Sequence, residues 1–161
     1  MYNFIMKKLE QREINAKIYR YSVQINQYFK DSISKAMEET AKELEIAGGV
    51  RFSHYFIMCE LYHSDEPLYL TTIAQLVGVK LPNVSKLVNE MIECGLAERC
   101  STAANKRIVL VQLTKLGREY SELLIPQITK IHEETFAPGE EAVKVYQYYQ
   151  NIHDRLFETE D

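Results

Sequence analysis

No apolar run in the 161 residues approaches the roughly 20 needed to cross a bilayer as a helix, which excludes a helical membrane protein. The start, Met1 to Lys8, lacks the order of a secretory signal, in which charge precedes an apolar stretch, so a cytoplasmic protein is expected. Cysteine is scarce. Cys59, Cys94 and Cys100 make neither an even disulfide framework nor a spaced zinc motif, and reduced thiols are the default. The four histidines, His54, His63, His132 and His153, show no metal-ligand spacing, so neither a metal nor another cofactor is expected. Also missing are a Gly-rich phosphate loop, a nucleophile elbow, a His-Glu-x-x-His run and paired carboxylates in a pocket-forming context. Cys59 near His54 is the one nucleophile-base pairing to consider, and it falls on a mostly apolar helix. An enzyme is not expected.

What is present is an ordinary globular composition with an uneven distribution of charge. Hydrophobic residues make up 46% of the chain, enough for a sizeable core. The net charge of −4 divides sharply along the sequence. From Gly78 to Arg118 the basic residues are Lys80, Lys86, Arg99, Lys106, Arg107, Lys115 and Arg118, against Glu90, Glu93 and Glu98, so this stretch is +4. From Glu119 to Asp161 three basic residues face ten acids, giving −7. Phosphate attraction depends on local rather than total charge, and the middle of the chain is suited to it.

The positive stretch coincides with a helix-turn-helix and a two-stranded wing. Thr71 to Val79 gives a short helix and a glycine turn at Gly78, and Asn83 to Ile92 gives a second helix with small polar and basic residues at its start. A strand over Gly95–Cys100 leads to a polar tip, Ser101 to Lys106, and the chain returns over Arg107–Thr114. A helix of this kind fits the major groove of DNA, and a basic hairpin beside it reaches the minor groove or the backbone.

Around this motif the pattern is helical. Apolar residues recur at three- and four-residue steps from about Ile14 to Ala47, with Asp31-Ser32 a point of possible bending and Gly48-Gly49 the expected terminator. Ser53 to His63 is apolar over most of its surface, and Leu68-Tyr69-Leu70 is short enough to pair with the wing. A helix over Lys115–Phe136 contains Pro126, which predicts a kink or a split. A last helix runs from Glu140 to Phe157. The apolar faces of the terminal helices need a partner, and the economical one is a second copy of the chain. A two-fold dimer sets two recognition helices about 34 Å apart, one turn of DNA, and reads a pseudo-palindrome.

In this order the elements resemble the MarR (multiple antibiotic resistance regulator) family of winged helix-turn-helix regulators, over about Ile14 to Phe157. The family's Leu-Thr-x-x-Glu-Leu-Ala is approached by Leu70-Thr71-Thr72-Ile73-Ala74. Its Val-Thr-Arg-Leu-Val-Asp-x-Leu is matched by Val84-Ser85-Lys86-Leu87-Val88-Asn89-Glu90-Met91. Lys-Gly-Leu-Val-Glu-Arg corresponds to Cys94-Gly95-Leu96-Ala97-Glu98-Arg99, and Leu-Thr-x-x-Gly-Arg to Leu113-Thr114-Lys115-Leu116-Gly117-Arg118. Two departures stand out. The wing's usual Asp-x-Arg is Asn105-Lys106-Arg107, which keeps the arginine and loses its charged brace. The usual serine-like cap of the recognition helix is replaced by Lys80-Leu81-Pro82-Asn83, whose apolar side chains suit thymine methyls.

The resemblance implies a mostly α fold with a small β-wing: residues 1–50 and 119–161 as a helical dimerisation region and 51–118 as a winged DNA-binding lobe. It implies a homodimeric transcriptional regulator, a repressor, on double-stranded DNA. Ser85 and Lys86 are the expected groove-facing residues, with Asn83 and Asn89 beside them. Arg107 is expected at the minor groove, Lys106 on phosphate, and Thr71 or Thr72 at the cap of the first motif helix. Arg99 and Arg118 either brace the wing or meet DNA. A small aromatic effector would sit near Tyr28, Arg51, His54, Tyr55 and Met58. The rival reading is a winged helix that binds protein instead of DNA. For Cys94 and Cys100, at the junction of second helix and wing, two small semi-buried thiols compete with an oxidant-sensing pair.

Overall fold

The computed structural model describes residues 2–102, 105–136 and 139–157, and the side chains of residues 11–100, 109–136 and 139–157 within them. The chain is mostly α. Two long helices, α1 (Tyr2–Glu43) and α5 (Lys115–Phe136), flank a lobe made of α2 (Phe52–His63), β1 (Leu68–Tyr69), α3 (Leu70–Val77), α4 (Leu81–Glu93), β2 (Ala97–Thr102) and β3 (Asn105–Leu113). The last helix is α6 (Glu140–Phe157).

The core forms where the second half of α1 meets the lobe. Ile33, Ala36, Met37, Thr40 and Ala41 repeat every three or four residues and are all buried, whereas Gln11 to Tyr21 are exposed throughout. Apolar nearly all round, α2 sits at the centre: it packs on α1, α3, α4, α5 and β3 and buries His54, Ile57, Met58 and Leu61. Tyr120 of α5 is fully buried and its hydroxyl donates to the Met37 carbonyl at 2.8 Å, tying α5 to α1.

The sheet has the order β1-β3-β2, antiparallel throughout. Leu68 pairs with Val111, so the short strand before α3 does join the wing, and Ala97 pairs with Leu113. The strands run closer to the tip than the sequence suggests, with Thr102 opposite Asn105 and an irregularity between Cys100 and Thr102.

Several element boundaries differ from expectation. Rather than breaking at Asp31-Ser32, α1 runs continuously and begins about a dozen residues earlier than Ile14. It ends at Glu43, with Glu45 rather than a glycine taking the left-handed conformation (φ 53°), and the Ile46 N–H closes the turn on the Ala41 carbonyl at 2.9 Å. Pro126 does not split α5, which continues through it as one helix. Both Pro126 and Glu122 are exposed, so water can take the hydrogen bond that proline cannot donate to the Glu122 carbonyl.

Candidate nucleic-acid interface

The turn between α3 and α4 follows the expected chemistry. Gly78 holds φ 64° and its N–H reaches back into α3, with the Val79 N–H bonded to the Ala74 carbonyl at 3.1 Å. That geometry favours glycine at this position. Thr71 and Thr72 do not cap α3. The cap position is Tyr69, with no side-chain cap, and both threonines lie within the first turn, so the early amide groups of α3 are left without a side-chain acceptor. Likewise α4 begins at Leu81, two residues before the expected Asn83, with Pro82 in its first turn and no side-chain cap from Lys80.

Along α4 the two faces separate cleanly. Val84, Val88 and Met91 have no exposed surface. Asn83, Lys86 and Asn89 are exposed and Ser85 is half-buried. Ser85 opens onto a shallow cavity of about 460 Å³ lined by Tyr69, Leu70, Thr71, Leu81, Pro82 and Val109. Leu81 and Tyr69 remain substantially exposed at this mouth. The proposed reading surface therefore mixes polar groups with an apolar slot. Tyr69 was not picked out from sequence, since a tyrosine ahead of a helix carries no signal of its own.

The other flank of the wing is braced. Arg99 of β2 donates from Nη2 to Asn89 Oδ1 at 2.7 Å, which ties the wing to the end of α4. Gln112 and Glu98 link β3 to β2 at 2.7 Å. The wing residues Lys106 and Arg107 lie on β3 by their backbone, but their side chains fall outside the described residues.

At the far end of α4, Glu90 is bonded by two groups from the head of α2. Its carboxylate accepts from the Arg51 guanidinium and lies 2.9 Å from His54 Nε2. These contacts hold its pKa below the usual carboxylate range, Arg51 acting first and His54 second. His54 is buried, and burial pushes its pKa below the ordinary value of 6.5, against the opposing pull of Glu90.

The residues expected at an effector site divide among different surroundings. A cavity of about 720 Å³ lies between α1, α2, α5 and α6, lined by Ile25, Phe29, Ile33, Phe52, Tyr55, Phe56, His132, Phe136 and Tyr149 with Asn26, Lys30 and Cys59. Of the expected residues only Tyr55 lines it. Arg51 lines an adjoining polar cavity with Lys30, Asp31, Lys35 and Glu38; His54 and Met58 are core, and Tyr28 faces solvent beside Phe29. Phe29 stacks on Phe136 (5.2 Å) and meets His132 edge-on (5.1 Å). Burial favours the neutral form of three lining groups: it lowers the pKa of His132 and raises those of Tyr55 and Cys59. The chamber suits an apolar guest with aromatic surface.

Cys59, Cys94 and Cys100 are free thiols, all partly buried, and burial raises the pKa of each. That favours the inert protonated form. Among the described residues no group of three or more potential ligands is placed to hold a metal ion, and no helix is long and apolar enough to cross a membrane.

No family model matches the sequence, and no curated protein matches it. Solved structures do. CouR from Rhodococcus jostii RHA1, bound to p-coumaroyl-CoA, is 20% identical with a TM-score of 0.70, the match covering 89% of this chain and 94% of that one. A MarR-family transcriptional regulator from Rhodococcus sp. RHA1 is 19% identical with a TM-score of 0.67, covering 90% and 97%. A mutant MarR from E. coli, complexed with operator DNA, is 15% identical with a TM-score of 0.69, covering 84% and 93%. At these identities the likeness is one of fold, and the chain has the winged-helix fold of MarR-type regulators over nearly its whole length.

Proposed function

We propose that this protein is a MarR-type transcriptional regulator that binds double-stranded DNA as a homodimer and represses from a pseudo-palindromic operator in the cytoplasm. The observation that carries the reading is α4. One face is sunk in the core while Asn83, Lys86 and Asn89 are exposed and Ser85 stands at the edge, inside the stretch from Gly78 to Arg118 whose net charge is +4. Exposed Asn and Lys at helical spacing carry the donors and acceptors that base edges match. Amide groups at the head of α3, which no side chain caps, are ready partners for phosphate, and Lys106 and Arg107 would add wing contacts to backbone and minor groove. A fold shared with a structure solved on operator DNA supports the same conclusion.

Dimerisation follows from what the single chain leaves uncovered. None of the 18 residues of α6 is buried, yet it carries Val143, Tyr146, Tyr149, Leu156 and Phe157. Ile14, Ile18, Tyr21 and Ile25 on α1 are similarly bare. In this reading residues 1–50 and 119–161 form the dimer and 51–118 the DNA-binding lobe. A small aromatic effector in the chamber beside Tyr55 would shift the spacing of the two lobes by binding one arrangement better than the other.

The test is binding to duplex DNA as salt is varied. Affinity falling steeply and log-linearly with salt is the expected result, since each neutralised phosphate releases counterion. Salt-independent or absent binding would exclude this function and favour a winged helix that recognises protein. Footprinting on the DNA upstream of its own gene would then find the operator.

A further inference from the structure

Glu90 is an acid on the helix proposed to face a polyanion, and its surroundings explain how it can be there. Successive residues of a helix are rotated by about 100°. Ser85 and Asn89 therefore fall on the flank of α4 toward the wing, and Glu90 on the opposite flank, toward the head of α2. The wing flank is tied by Arg99 to Asn89 (2.7 Å), and the α2 flank by Arg51 and His54 to Glu90. The buried row between them, Val84, Val88 and Met91, is apolar. Apolar burial is non-directional and tolerates small rotations of a helix, whereas hydrogen bonds fix an angle.

The His54 ring has its roles assigned by its neighbours. Nδ1 accepts the Arg51 backbone N–H at 3.0 Å, so the single proton of the neutral ring sits on Nε2 and is donated to Glu90, 2.9 Å away. One buried imidazole thus closes the first turn of α2 and holds α4. A second proton would place a donor on Nδ1 against the Arg51 N–H and break the α2 contact. The charged groups that reach His54 are Glu90, from α4, and Arg51, from the head of α2.

We propose that Glu90 is a positioning residue for DNA reading: gripped by His54 and Arg51, it sets the rotation of α4 about its own axis, and with it whether Ser85 and Asn89 meet base edges. This rests on the DNA-binding function proposed above. The positioning acts on sequence discrimination, not on attraction to the backbone.

The experiment compares wild type, E90Q and E90A on two duplexes of equal length: the one wild type enriches most from a random-sequence pool, and an unrelated one. Losing charge-assisted hydrogen bonds of this kind should lower the ratio of the two affinities about tenfold, with binding to the unrelated duplex unchanged or tighter. Equal tightening on both duplexes would reduce Glu90 to a repulsive charge, and equal weakening with a lowered melting temperature would reduce it to a structural one. Either overturns the proposal. In a second arm the ratio is followed as pH falls. Wild type should hold its discrimination at pH 6.5 and lose it only lower, as pH falls through the folded His54 value that burial sets below the ordinary one. H54N retains an acceptor for the Arg51 N–H but cannot reach Glu90 or titrate, and should show a low ratio that does not vary with pH. Identical profiles for both proteins would also overturn the proposal. A pool that yields no enriched duplex, with no salt-dependent retention, would instead remove the DNA-binding function and the proposal with it.

Discussion

Gly117 carries the tightest constraint on any single residue in the lobe. A Cβ at this position would lie 1.9 Å from the carbonyl oxygen of Leu96 and 2.9 Å from its carbonyl carbon, both backbone atoms that cannot step aside. Next to it, Thr114 Oγ1 donates to the Gly95 carbonyl at 2.6 Å and accepts the Gly117 N–H at 3.0 Å. The hydroxyl therefore caps α5 while pinning it to the turn that opens the wing. G117A should accordingly cost at least the ~1–3 kcal/mol typical of overpacking and lower the melting temperature by several degrees or more. An unchanged melting curve would mean that α5 can slide off the wing without penalty. Y120F is milder, because the Met37 carbonyl loses only the hydroxyl and keeps its helical N–H donor, while the ring stays in place. About 1 kcal/mol is expected, readable by denaturant titration. Thr114 and Gly117 give the run Leu113 to Arg118, which the sequence offered only as a likeness to the family's Leu-Thr-x-x-Gly-Arg, its physical reason: a cap and a close approach three residues apart, both local.

At the scale of elements, the proposed function divides recognition between α4 and the wing. S85A/K86A should flatten sequence preference while leaving much of the affinity for random duplex, because base-edge contacts specify and phosphate contacts position. A uniform loss across sequences would move both residues to the backbone. R107A should weaken operator binding and reduce its salt slope by about one unit. An unaltered slope would remove the wing arginine from the interface. Elements held by their own turns were readable in the sequence, as with Gly78 ending α3 and the short strand before it joining the wing. Elements held by partners were not. The first turns of α1 lie ahead of the regular apolar steps that begin at Ile14, yet they continue the helix. Gly48-Gly49 was the natural stop for α1, yet the chain turns at Glu45, and Gly48 instead lies under the Cys94 thiol, 2.9 Å from where a Cβ would stand. The apolar chamber draws Phe29, Phe52, Phe136 and Tyr149 from four helices, and their meeting is tertiary. Only Tyr55 among its lining residues could be named beforehand.

Across the whole molecule, protonation and association act on the same scaffold. His54 has a folded pKa below its ordinary 6.5, so the unfolded chain takes up the proton first. Stability is therefore level above about pH 6.5 and falls as pH drops from there toward the folded value. Glu90 works in the same direction lower down, its depressed pKa giving stability that is lost as the carboxylate protonates. Denaturant midpoints for wild type and H54N should diverge less at pH 5 than at pH 7.5, since acid removes from wild type what the substitution has already removed. A gap that widens in acid would reverse this assignment.

Association decides whether the terminal helices have a reason to exist. An isolated helix of 18 residues is marginal in water without tertiary burial, and no residue of α6 is fully buried within its own chain. Its apolar residues Val143, Tyr146 and Tyr149 recur at three-residue steps, the spacing of one helix face, while Glu140, Glu141 and Lys144 keep other positions polar. Covering this face with a second copy removes apolar surface from water on both chains at about 25 cal/mol per Å². V143E/Y146E puts two carboxylates into that surface without touching α4 or the wing. Sedimentation should then show a single chain where wild type sediments as two, and far-ultraviolet circular dichroism should register lost helix. Affinity for a two-half-site duplex should drop far more than affinity for a half-site, because two linked lobes gain from effective concentration and one lobe cannot. A wild-type protein that sediments as one chain, or a variant that remains paired with full affinity, would place the dimer contact elsewhere and leave α6 without a role.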